Sequence, residues 1–266
     1  MIDGHVHSPY CPHGTSDSLD SYVEKAIELG YASLTFTEHA PLPPSFTDPV
    51  PLKDSGMNPR LLESYIKDIE EVKKAYASDI NVQAGLEIDY IKGFEKETED
   101  LLNEYGPSLD DSILSVHFLP IYNKWYCIDY SPDMYKSSLM AIGDLRQLYQ
   151  LYFDMLRESV LADLGAFKPN RIGHMTLIKK FQWLYKPPAG WEQMAESFLD
   201  FIRDKAVTLD YNGAGMKKEH CKEAYPPLNI ARKASAKGIS LIYGSDAHNS
   251  DSLKQGYSAI DASLIR

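Results

Sequence analysis

Residues 1–39 read MIDGHVHSPYCPHGTSDSLDSYVEKAIELGYASLTFTEH, and the fold is decided here. Ile2–Ser8 reads as a first strand. Asp17-Ser18 then supplies N-cap chemistry for a helix over roughly Leu19–Leu29. Leu19, Val23, Ala26 and Ile27 form its apolar stripe, and Gly30 stops it. Ser33–Thr37 is a second strand. Two strands joined by a helix-length connection predict a parallel pair with the helix packed across it.

The same alternation runs outward to the other end. A Pro-rich loop, Pro41–Pro51, leads into a helix over Pro59–Ala77. Strands follow at Ile80–Ile88 and Ser112–Leu119, then a long helical pattern over Ser137–Leu164. Further strands fit Arg171–Met175, Ala206–Tyr211 and Ile239–Gly244, with helices over Trp191–Lys205 and Pro227–Lys237 between them. This rhythm predicts an α/β fold with a parallel sheet covered by helices, open or closed into a barrel. No composition shift or repeat marks a boundary, so residues 1–266 read as one domain. Pro41–Pro51 and Pro120–Pro132 are the long irregular insertions, of the kind that walls an active site.

Composition narrows the function. Of 266 residues, 44% are hydrophobic and 24% charged, enough for a sizeable core without disulfides. The 27 Lys+Arg against 38 Asp+Glu give a net charge of −11, which repels phosphate polymers and argues against a nucleic-acid partner. No apolar run approaches the ~18 residues of a membrane span, and the polar start Met1–His5 lacks a secretory pattern. Cys11, Cys127 and Cys221 are odd in number and scattered, as expected for free thiols in a reducing cytoplasm.

The eight histidines are the informative feature. His5, His7, His13, His39, His117, His174 and His248 all fall at or just after the C-terminal end of an expected strand. In a parallel α/β fold those ends converge on one face, where ligands bind. His5-x-His7 is an i, i+2 pair that a strand projects to one side, so two imidazoles can share an ion. Asp246-x-His248 repeats the spacing, and Glu87, ending the third strand, can bridge two cations. His, Asp and Glu donors suit Zn²⁺, Fe or Mn²⁺ hydrolytic sites. Taken singly, each element has an ordinary structural explanation; their shared position makes a multinuclear metal centre the better reading. His220, in the charged stretch Lys217–Glu223, reads as a solvated loop residue; Cys11, between His7 and His13, could ligate zinc, but a free loop thiol is the better reading.

With these residues in view, the chain resembles the PHP (polymerase and histidinol phosphatase) superfamily, and within it the stand-alone histidinol-phosphatase branch. The resemblance runs over nearly the whole chain. It rests on Asp3-Gly4-His5-Val6-His7-Ser8, Cys11-Pro12-His13-Gly14-Thr15, Phe36-Thr37-Glu38-His39-Ala40-Pro41-Leu42, Gly85-Leu86-Glu87, Ser115-Val116-His117, Gly173-His174 and Ser245-Asp246-Ala247-His248. It implies a distorted (β/α)7 barrel with a site for three divalent transition-metal ions at the C-terminal ends of the strands. His5, His7, Glu87 and Asp246 would hold one ion, His13, His39 and His248 a second, and Glu87, His117 and His174 a third.

The activity it implies is metal-dependent hydrolysis of a small-molecule phosphomonoester, L-histidinol phosphate, in histidine biosynthesis. Asp246 or His248 would assist the leaving oxygen. Where family members often carry Arg, this chain has Lys179 and Lys217, expected phosphate contacts that lack Arg's planar bidentate geometry. Asp89 and Asp210 are expected either to accept from the substrate's ammonium and imidazole or to orient metal ligands. The rival readings are a PHP hydrolase for nucleotides or phosphotyrosine, and a non-catalytic metal-binding module.

Overall fold

The structure, a computed structural model, describes residues 1–265. Its elements are β1 (Ile2–Val6), α1 (Leu19–Glu28), β2 (Ser33–His39), α2 (Leu62–Ala75), β3 (Asn81–Asp89), α3 (Glu95–Tyr105), β4 (Ile113–Ser115), β5 (Phe118–Ile121), β6 (Lys124–Cys127), α4 (Pro132–Ile142), α5 (Leu145–Leu161), β7 (Arg171–Ile172), α6 (Trp191–Ile202), β8 (Thr208–Asn212), α7 (Leu228–Ala236) and β9 (Leu241–Gly244).

Strands β1, β2, β3, β4, β7, β8 and β9 pair in that order, every pair parallel. The chain just after β9 returns to β1. Val6 and Ala247 form a parallel bridge, the His7 N–H donates to the Ala247 carbonyl at 2.9 Å, and the Asp246 N–H donates to the His5 carbonyl at 2.7 Å. The sheet thereby nearly closes into the expected distorted seven-stranded barrel, with helices in the connections.

The helices cover the sheet for local reasons. Ser18 caps α1 by accepting from the Ser21 N–H, and the helix buries Leu19, Tyr22, Val23 and Ala26 on one face. Helix α5 buries Leu148, Tyr152, Phe153 and Leu156 in the same way. Each of the larger aliphatic side chains so taken out of water contributes about 1.5–3 kcal/mol. Two glycines make room where strands approach other groups. A Cβ on Gly4 would lie 2.0 Å from Nη1 of the buried Arg171, and one on Gly85 would lie 1.8 Å from the Asp111 carbonyl oxygen. The second close approach fixes β3 against the chain entering β4, two residues before Glu87.

Four expectations need correction. The helical pattern over Ser137–Leu164 is two helices: Gly143 takes a left-handed conformation (φ +84°), and Asp144 caps α5 by accepting from the Gln147 N–H. The fourth strand stops at Ser115, and Phe118 opens an antiparallel hairpin with β6 inside what reads as an irregular insertion. That hairpin turns on Tyr122-Asn123, with Tyr122 at φ +53°. Helix α3 goes unanticipated, because its buried side chains are only Thr98 and Leu102. Loop Pro41–Pro51 does not line the cavity either. Its Phe46 and Val50 pack beside Ile91, Phe118 and Cys127, behind the hairpin that does.

Candidate metal centre

The strand ends deliver their side chains to one cavity of about 470 Å³. His5 lies in β1 and His7 just beyond it, His39 ends β2, and Glu87 lies near the end of β3. His117, His174, Asp246 and His248 follow β4, β7 and β9, and His13 comes from the first loop. Ring centroids are 4.0 Å apart for His7 and His248, 4.3 Å for His7 and His39, and 5.0 Å for both His13–His39 and His117–His174.

Glu87 sits in the middle. Its Oε2 is 3.2 Å from His39 Nδ1, 3.4 Å from His5 Nε2 and 3.7 Å from His7 Nε2. Its Oε1 is 3.1 Å from His174 Nε2 and 3.7 Å from His117 Nε2, and it accepts from the Ser115 hydroxyl at 2.6 Å. Asp246 Oδ1 adds contacts of 3.1 Å to His7 Nε2 and 3.8 Å to His5 Nε2. Asp246 holds φ at +53°, a left-handed conformation that Asp tolerates better than most residues.

These donors suit cations better than they suit one another. His5 Nε2, His7 Nε2, His39 Nδ1 and His174 Nδ1 are buried and make no hydrogen bond. Leaving such a group unpaired costs about 1–3 kcal/mol. Meanwhile the far nitrogens are tied down: His5 Nδ1 to Asp210 Oδ2 at 2.9 Å, His7 Nδ1 to Glu38 Oε1 at 3.1 Å, and His117 Nδ1 to Asp89 Oδ1 at 2.7 Å. A carboxylate behind an imidazole is the arrangement that orients metal ligands; the other nitrogen is unpaired at His5 and His7, and at His117 it lies 3.3 Å from His174 Nε2. Three compact donor groups result: His5, His7 and Glu87; Glu87, His117 and His174; and His7, Cys11, His39 and His248.

The sequence pattern of the PHP domain matches residues 3–214. The chain belongs to the PHP domain family. It is 43% identical over 259 residues to the histidinol-phosphatase of Bacillus subtilis, covering 97% of each chain. It superposes on the structure of HisK from Listeria monocytogenes, a candidate histidinol phosphatase, with a TM-score of 0.93 and 36% identity, over 98% of this chain and 100% of that one. The fold also matches histidinol phosphate phosphatase from Lactococcus lactis, solved with zinc, L-histidinol and phosphate. There the TM-score is 0.69 at 17% identity, covering 100% of this chain and 94% of that one.

Charge in this PHP site is strongly polarised. Burial opposes ionisation of Glu87, yet His5 and His117 outweigh it and hold the carboxyl well below the usual range. Asp246 is held down in the same way by His5, His7 and His248 against its burial. Burial also opposes charge on His5 and His117. Glu87 and Asp210 win at His5, Asp89 and Glu87 at His117, and both imidazoles are pushed up to about 10. His39 and His248 go the other way, driven well below the ordinary value by burial and by the neighbouring His7.

Of the four candidate substrate contacts, Asp210 and Asp89 stand behind metal-donor histidines, the second of their two expected roles, and Lys179 and Lys217 lie off the cavity lining. Asp210 is fully buried behind His5 and also accepts from Asn212 Nδ2 at 3.0 Å, so no substrate reaches it. Asp89 borders the cavity but is bonded to His117. Lys179 is buried, pairs with Glu223 and lies 4.0 Å from the Trp191 ring centroid, while Lys217 is exposed away from the cavity lining. Their sequence neighbours line it instead: Lys180, 3.0 Å from Asp129 Oδ2, and Lys218.

The signal was the basic pair at each place, and a short helical turn over Leu177–Lys179 sets which member turns inward. Glu38, behind His7, escaped the sequence analysis although it sits inside the Thr-Glu-His-Ala motif. His220 stays outside the cavity lining, its carbonyl accepting from the Trp183 N–H.

Proposed function

We propose that this PHP domain, residues 1–266 acting as a single unit, hydrolyses L-histidinol phosphate to L-histidinol and phosphate. The 43% identity with the Bacillus histidinol-phosphatase, aligned over 97% of both chains, carries the reading, because it falls on a chain whose cavity gathers unpaired imidazoles around Glu87. Three ions fit the donors. His5, His7, Glu87 and Asp246 would hold the first, His13, His39 and His248 the second, and Glu87, His117 and His174 the third. Zinc, iron or manganese suits such donors, and zinc is the ion found with the Lactococcus enzyme. When bound, the ions supply a water-derived nucleophile at neutral pH and neutralise charge on the phosphoryl oxygens.

The chain's own groups do the rest. Lys180 and Lys218 present two cations to the incoming phosphate from the cavity wall. Asp246 and His248, 3.6 Å apart on the cavity lining, are placed to move the proton from the attacking water to the departing oxygen. Asp54 and Asp129 line the same cavity as acceptors for the ammonium and imidazole of the substrate.

No helix among the described residues is long and apolar enough to cross a membrane. The three free thiols suit a cytoplasmic enzyme. The test is a phosphatase panel on metal-replete protein that includes L-histidinol phosphate. Turnover of that ester above all others is expected, and its absence would overturn the assignment.

A further inference from the structure

Cys11 lies inside the metal centre. Its Sγ and the donor nitrogens of His7, His39 and His248 all fall within 4.8 Å of one another, and the residue is 7% exposed. His7 and His39 each also carry a buried ring nitrogen, Nε2 and Nδ1 respectively, without a hydrogen bond. The loop that carries Cys11 is built to hold it there. The Cys11 N–H donates to the Ser8 carbonyl at 3.0 Å, the Gly14 N–H to the Cys11 carbonyl at 3.2 Å, and the Thr15 N–H to the His248 carbonyl at 3.2 Å. Gly14 lets the turn close, since a Cβ there would stand 2.9 Å from Cys11 Cβ and 3.5 Å from the His248 carbonyl oxygen. The other thiols are occupied differently: Cys127 donates to Asp129 at 3.3 Å and Cys221 to the Glu223 carbonyl at 3.5 Å.

We propose that the Cys11 thiolate is a ligand of the second metal position, joining His39 and His248 there. The inference rests on the metal-centre reading above and deepens it. His13, also assigned to this position, is exposed, with Nδ1 tied to the Asp54 carbonyl at 2.9 Å, so Cys11 is the sheltered donor that the loop contributes.

Two chemical consequences follow. A thiolate is a soft ligand, so this position takes zinc, cobalt or ferrous iron in preference to manganese or magnesium. The thiolate moreover ties the loop that carries it to the same ion as His39 and His248. The second ion then anchors the first loop against the strand ends.

Cobalt substitution tests this without relying on turnover. The cobalt-loaded full chain should show a thiolate-to-cobalt charge-transfer band in the near ultraviolet beside the visible ligand-field bands. The band should persist in a Cys127→Ser/Cys221→Ser double variant, where Cys11 is the remaining thiol, and vanish in Cys11→Ser. Cys11→Ser should also retain one zinc equivalent fewer after dialysis against a weak chelator. Ligand-field bands without the near-ultraviolet band, in either the native chain or the double variant, would overturn Cys11 ligation and leave the metal centre standing. A chain that retains no cobalt would overturn both.

Discussion

Asp210 stands directly behind His5: its Oδ2 lies 2.9 Å from Nδ1 of a ring 205 positions earlier in the chain, and both side chains are fully buried. The same oxygen accepts from Asn212 Nδ2, so the carboxylate is itself held in place. His5 Nε2 is left facing Glu87 and Asp246 with its orientation set before any ion arrives.

Asp210→Ala removes that support without touching a donor. Metal affinity should fall roughly 10–100-fold, the usual effect of losing an orienting partner. Competition against a chromophoric chelator reads it directly. Affinity unchanged within error would mean that His5 is positioned by packing alone.

Metal uptake should expel protons. His5 and His117 are raised from 6.5 to about 10 in the metal-free protein, so both are protonated at pH 8. Their raised values stabilise the metal-free fold fully below about 6.5, and this contribution is lost as pH rises through about 10. Ions need the unprotonated rings, so affinity should rise with pH across that window. Calorimetric titration in two buffers of different ionisation heat should find at least about one proton released per chain. No release at pH 8 would refute the charge pattern.

Glu87→Ala should be the most damaging single carboxylate change, because Glu87 stands between the rings of His5 and His174, one on each of its oxygens. Activity and metal content should fall together. His220→Ala should leave both near their starting level, which separates position at a strand end from histidine content. A Glu87→Ala protein with full metal content would sink the bridging role.

Much of this was readable one residue at a time, and the failures share a cause. Strand ends marked by His5, His39 and Glu87 are local signals, since a β-run followed by a donor survives any tertiary context. Closure of the barrel through Val6 and Ala247 is not local, and the sequence leaves an open or closed sheet equally allowed. Helix α3 has too thin an apolar stripe to register, its polar face being nearly the whole helix. Pro120 hid a hairpin, because a two-stranded ribbon has free edges where a missing N–H does no harm. The carboxylates left two readings open, substrate acceptor or support for a metal ligand, for a different reason. Glu38, Asp89 and Asp210 act through a histidine, and a contact between positions 31, 28 and 205 residues apart leaves no spacing to read.

The lysine register gives the next prediction. Lys180→Ala should raise KM for the phosphoester several-fold with a smaller change in kcat, since it removes a charge that meets the substrate on binding. Lys179→Ala should spare KM but lower the Tm, because it strips a buried ammonium from Glu223 and Trp191. The opposite pattern would return the phosphate contact to Lys179.

Specificity depends on the same wall. The ions alone would hydrolyse many monoesters, so discrimination must come from acceptors that only the correct substrate satisfies. Asp129 is buried beside Lys180 and held strongly ionised, with burial outweighed by that ammonium and by His117. Asp54 borders the cavity and makes no ion pair among the described residues. An analogue lacking the ammonium and imidazole forgoes the contact with Asp54, which has no ion pair among the described residues to fall back on, and loses roughly ten-fold or more in rate. For L-histidinol phosphate, kcat/KM should therefore exceed that for p-nitrophenyl phosphate despite the latter's better leaving group. Asp54→Ala should narrow the ratio by slowing only the natural ester. A p-nitrophenyl phosphate rate equal to that of L-histidinol phosphate in the unaltered protein would mean that the wall does not read the alcohol, and the substrate would have to be sought among other phosphomonoesters.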